Sequence, residues 1–173
     1  LLEHIRLDSV SPSQLWASLD GETRELAART LYDATGVAAS GRAEADAAIA
    51  GAIRFRETAV RRLPVERRIG YLLKAVRPDD SLASSLLLAL HLEKRAPMLG
   101  AFLDRLGIPN RNGLIEDAHE LRPPEPDLLP DAVGELFERF PRDQVELYLA
   151  SLIAIDPETW SSLVGELKEA AAD

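Results

Sequence analysis

The stretch from Ser81 to Leu92, Ser-Leu-Ala-Ser-Ser-Leu-Leu-Leu-Ala-Leu-His-Leu, is the most apolar run in the chain and the strongest constraint on its fold. Wound as a helix, it places Leu82, Leu86, Ala89 and Leu90 on one face, while Leu87, Leu88 and Leu92 carry apolar surface round most of the remainder. A helix of that kind needs neighbours on nearly every side, so it is predicted to sit at the centre of the fold. Ser81, Ser84 and Ser85 form a strip of small side chains along which another backbone can come close. The run is shorter than the roughly 18 to 20 apolar residues of a membrane span, and no membrane association is expected.

The rest of the chain is also written in helical spacing. Hydrophobic residues make up 46% of the 173 positions but aromatic residues only 5%, and this Ala- and Leu-rich mixture favours helix over sheet. Pro12, Pro64, Pro78, Pro97, Pro130, Pro141 and Pro157 each stand just before an apolar pattern of helical period, where a missing N–H costs nothing. Asp20, Asp79 or Asp80, and Asp156 read as N-caps, and Gly107 followed by Ile108 as a helix C-cap. A single long helix is expected over residues 43–63, with Ile49, Ile53, Val60 and Leu63 on its inner stripe and Arg56 falling inside that stripe, where it needs a carboxylate partner or must snorkel to water. The expected fold is all-α: a compact multi-helix bundle of about eight to nine helices in antiparallel pairs, with a short α-solenoid-like stack as a variant.

Residues 109–127 are the one long irregular stretch, with a turn over Asn110 to Gly113 and an extended Pro123-Pro124-Glu125-Pro126 segment. This divides the chain into a main helical domain over residues 1–108, a proline-rich linker over 109–127, and a three-helix C-terminal subdomain over 128–173 packed on the main domain. Pro78, Asp80, Leu82, Leu86 and Leu90 align with Pro141, Asp143, Val145, Leu149 and Ile153, a faint internal similarity that two antiparallel helices of similar length can also produce.

Chemistry-bearing motifs are sparse. With no cysteine, thiolate nucleophiles, thiolate metal sites and disulfides are excluded. His91 closes the apolar run and is either a core-edge histidine or the lining of a small-molecule pocket. Glu116-Asp117-Ala118-His119 holds a Glu-x-x-His spacing, but a di-iron bundle needs a second copy and further carboxylates. Phosphate loops, dinucleotide fingerprints and nucleophile elbows are missing from the sequence, and no cofactor or metal is implied.

Charge is more informative. Between Arg54 and Arg77 eight cations (Arg54, Arg56, Arg61, Arg62, Arg67, Arg68, Lys74 and Arg77) stand against Glu57 and Glu66, so the segment is +6 in a chain of net −9. Residues 116–146 are −7. The basic segment is a solvated face, docks on the acidic one, or meets an anionic partner. Leu106-Gly107-Ile108-Pro109 has the look of a helix-turn-helix turn, but Asn112-Gly113 interrupts the helix that must follow, and nucleic acid is disfavoured.

These features point to a cytoplasmic protein–protein interaction or scaffold module without catalytic activity, whose partner is protein, self or other, with a homodimer among the options. Arg54, Arg61, Arg62, Arg67, Arg68, Lys74 and Arg77 are its candidate binding face. A helical small-molecule-binding protein or enzyme with a pocket near His91 is one alternative, and anion or nucleic-acid binding by the Arg54 to Arg77 face is another.

Overall fold

Where the sequence places capping residues, helices begin. The computed structural model describes residues 6–116 and 118–172, with side chains as far as Ala170, and among these the fold is all-α apart from one hairpin of two two-residue strands. It divides into two compact units, Pro12–Lys94 and the described residues of Leu1–Ser11 and Arg95–Asp173.

The first unit contains α1 (Pro12–Ser18), α2 (Gly21–Asp33), α3 (Arg42–Ile53), α4 (Glu57–Arg61), α5 (Val65–Ala75) and α6 (Asp80–Lys94), with a 3-10 turn over Gly36–Ala39. Asp20 caps α2 by accepting from the Thr23 N–H at 2.7 Å, and Asp79 caps α6 by accepting from the Leu82 N–H at 2.9 Å. The latter settles which of the two aspartates starts the helix. α6 is the core element that its composition predicts. Leu82, Ala83, Leu86, Leu87, Ala89, Leu90 and His91 are buried, and α1, α2 and the 3-10 turn lie against it. The serine strip has the predicted use: Gly41, just ahead of α3, comes so close to Ser85 that a Cβ on Gly41 would overlap the Ser85 side chain.

The expected 43–63 helix is instead two helices. Arg54 takes a left-handed conformation (φ 57°, ψ 40°) and ends α3, with the Phe55 N–H donating to the Ala50 carbonyl at 3.0 Å. The chain restarts at Arg56, whose carbonyl accepts from the Ala59 and Val60 N–H groups. Of the expected inner stripe Ile49 and Val60 are fully buried, whereas Ile53 and Leu63 are only half-buried. Glycine is the usual residue at a left-handed helix end; an arginine there sends no stop signal in the sequence.

The second unit contains a 3-10 turn over Leu7–Ser9, α7 (Ala96–Arg105), strands β1 (Asn110–Arg111) and β2 (Leu114–Ile115), 3-10 turns over Ala118–Glu120 and Pro126–Leu128, and α8 (Leu129–Arg139), α9 (Arg142–Ile155), α10 (Pro157–Trp160) and α11 (Leu163–Ala172). Its central helix is α9, buried at Val145 to Ser151, Ile153 and Ala154, with α8, α10, α11 and the Leu7–Ser9 turn against it. Phe102 of α7 meets Tyr148 edge-on at 5.7 Å between ring centroids and Trp160 at 5.9 Å.

α7 ends in the predicted glycine cap. Gly107 (φ 68°) donates to the Asp104 carbonyl at 3.0 Å, and Ile108 donates to the Leu103 carbonyl at 2.9 Å. A β-hairpin follows in place of a recognition helix, with Asn112 (φ 52°) and Gly113 (φ 83°) at its tight turn. The division between units falls at Lys94–Arg95, whereas the sequence suggests residues 109–127; that stretch belongs with α7 and α8 because the hairpin pairs back beside α7.

Candidate functional site

The basic segment is carried by the turn between α3 and α4, by α4 and α5, and by the residues that follow each of these two helices, Arg62 and Arg77. Two of its eight cations are engaged. Arg61 pairs with Glu57 one helical turn earlier at 3.2 Å. Arg68 turns inward, donating through Nη1 to Asp46 of α3 at 3.1 Å, and its guanidinium lies 4.9 Å from the centroid of the Tyr32 ring. Asp46, 3% exposed, also accepts from the Tyr32 hydroxyl at 2.8 Å. Arg68 therefore leaves the candidate face, because a buried carboxylate needs a compensating charge more than the surface needs another cation.

Both acids of the segment are also engaged. Glu57 holds Arg61, and Glu66 takes both terminal nitrogens of Arg29. Arg54, Arg56, Arg62, Arg67, Lys74 and Arg77 are exposed and form no ion pair among the described residues. Arg67 and Lys74, seven residues apart on α5, share one face.

Phe55, between Arg54 and Arg56 in the chain, is 52% exposed. Sequence reasoning passes over this residue, although a signal exists. Its neighbours three and four positions away are Gly51, Ala52, Thr58 and Ala59, so no apolar stripe claims it. Five residues on, fully buried Val60 anchors the short helix α4 in the core.

His91 is 3% exposed in the last turn of α6 and lines none of the three clefts described below. Of the Glu-x-x-His motif, Glu116 pairs with Arg111 at 3.1 Å, His119 lies exposed in a 3-10 turn, and Asp117 lies outside the described residues. Among the described residues no group of three or more His, Asp and Glu side chains is placed to hold a metal ion, and no helix is long and apolar enough to cross a membrane.

The three clefts all belong to the second unit. The largest, about 730 Å³ between α7, the hairpin and α8, is polar, and its charges answer one another. Arg105 pairs with Asp131 at 3.1 Å, Arg139 with Glu135, and Asp104 accepts from Asn110 at 2.8 Å. The second, about 440 Å³, is apolar, walled by Leu106, Ile108, Ile115, Leu121, Pro124 and Leu128, with Glu120, Arg122 and Glu125 also lining it. The third, about 360 Å³, holds Phe137 and Val133 beside Glu166 and Glu169; burial, with the Glu169 charge second, raises the Glu166 carboxyl above its ordinary value.

Compared with protein-family models, with curated proteins and with solved structures, the chain finds no match.

Proposed function

We propose that this chain is a protein–protein interaction or scaffold module of the cytoplasm, without catalytic activity, acting through the Arg54 to Arg77 face with Phe55 at its centre. The observation that carries the reading is the charge left over after internal pairing. Both acids of the segment are taken by arginines, and the segment keeps six exposed cations without an ion pair among the described residues, two of them, Arg54 and Arg56, next in the chain to the exposed ring of Phe55. A solvated helix face has interspersed signs and needs no exposed phenyl group. Arginine and aromatic side chains together are the composition of interface anchors. A protein segment is favoured over nucleic acid because the remainder of the chain is −15, and an extended polyanion reaching beyond the basic face would meet that charge.

Affinity capture with the full chain tests the reading. Proteins retained at about 0.1 M salt should be lost when Arg54, Arg62 and Arg67 are replaced together by Glu, and should elute as the Debye length shortens. A retained set indifferent to both changes overturns it, as does tight, salt-sensitive binding of single-stranded DNA abolished by the same substitutions.

A further inference from the structure

Phe55 and the apolar cleft beside Leu128 are complementary in polarity and in the sign of the charges beside them. Phe55 is a phenyl ring about half exposed, between two arginines in the chain, at a turn fixed by the hydrogen bond from its own N–H to the Ala50 carbonyl. The cleft is an apolar recess of about 440 Å³, roomy enough for an aromatic side chain, and its proline-rich wall is stiff before anything binds. Glu120 and Glu125 lie among the residues lining it and Asp127 stands next to exposed Leu128; none of the three acids forms an ion pair among the described residues. Arg122 is the one cation among the lining residues.

We propose that the partner seated on Phe55 is a second copy of this chain, whose Leu128 cleft receives the ring while Glu120 and Glu125 meet Arg54 and Arg56. The proposal rests on the interaction reading above and names its partner. The other two clefts suit the ring less well. The largest is polar and its charges are already paired. In the third, Arg142 lies over Phe137 at 5.7 Å and is bonded to Glu146, so a cation already covers the aromatic wall. A knob and a cleft on different parts of one chain associate either reciprocally, closing a two-fold dimer, or singly, propagating an open chain.

Sedimentation velocity on the purified full chain tests this. The wild-type protein should self-associate with rising concentration, more strongly at about 0.05 M than at about 0.5 M salt. Phe55→Ala, at an exposed position that leaves the core intact, should weaken association at least about tenfold. Arg54→Glu/Arg56→Glu and Glu120→Lys/Glu125→Lys should each be monomeric alone, and mixing the two should restore association. Association unchanged in all three variants overturns the proposal. So does a wild-type chain that stays monomeric at about 0.1 mM, a concentration at which a micromolar contact is saturated. If that monomer still captures foreign proteins in an Arg-dependent way, the second copy is excluded and the interaction reading stands; if capture is also indifferent to the arginines, both fall.

Discussion

Arg68 Nη1 donates to both carboxylate oxygens of Asp46, at 3.1 and 3.3 Å, with the guanidinium stacked over Tyr32, whose hydroxyl donates to the same carboxylate. This small polar network ties α2, α3 and α5 together inside the first unit. It also sorts the basic segment into a structural cation and a surface set, although all eight residues look alike as charges in the sequence.

Removing one member of the network leaves another stranded. Asp46→Ala is expected to destabilise the fold by about 3 kcal/mol, because the Arg68 charge and the Tyr32 hydroxyl lose their partner in a region nearly closed to water. The double variant Asp46→Leu/Arg68→Met should recover most of that loss, while Arg62→Ala or Arg67→Ala should move stability by less than about 0.5 kcal/mol. Urea unfolding monitored by circular dichroism checks all four, and a double variant as unstable as Asp46→Ala would contradict the pairing argument.

Tyrosine ionisation supplies a second prediction. Burial raises the pKa of Tyr32, with the hydrogen bond to Asp46 adding to the effect, and burial alone raises that of Tyr148. In the unfolded chain both ionise near about 10. The folded state therefore holds more protons than the unfolded state above that pH, and the stability due to the two buried hydroxyls, complete below pH 10, is lost as pH rises toward the folded values. Tyrosinate absorbance should show Tyr32 and Tyr148 ionising late, together with unfolding, and urea midpoints should fall steadily above about pH 10. Tyr32→Phe should make that fall shallower.

Much of the framework was legible because local signals agreed with one another. The all-round apolar surface of 81–92 made it a core helix, Asp20 and Asp156 were caps, and Gly107-Ile108 ended α7 as its residues require. The break at Arg54 was not legible, since its signal is ordinarily glycine and the only nearby glycine, Gly51, lies within α3. Arg68 was readable in principle. It stands three residues after Val65 and four before Leu72, within the apolar stripe of α5, and so was placed to turn inward. Its carboxylate partner lay 22 residues earlier, a distance no periodicity reports. The surface role of Phe55 was hidden for a similar reason: a residue assigned to a continuous helix is not read as the tip of a turn.

The serine strip predicts a steric coupling. Gly41 has an ordinary φ of −79°, so alanine there is conformationally acceptable, and only the overlap with Ser85 opposes it. Gly41→Ala should cost about 1 to 3 kcal/mol by forcing α3 and α6 apart. Ser85→Gly alone should cost about 0.5 kcal/mol of helix propensity. Combined, the two should be less destabilising than their sum, with a coupling of at least about 0.5 kcal/mol in a double-mutant cycle of urea midpoints. Simple additivity would place the contact elsewhere.

Arg54 allows stability and association to be separated. Its left-handed backbone is strained for any residue with a Cβ, and glycine relieves it, so Arg54→Gly should raise stability by about 1 kcal/mol. The same change removes one of the two cations beside Phe55 and loosens the turn that presents the ring, so self-association should weaken and its salt dependence flatten. Thermal unfolding and sedimentation velocity on one preparation read both effects. A variant that is more stable and associates less assigns the arginine at the helix end to binding; one that is more stable with undiminished association leaves the left-handed turn without a function in the contact.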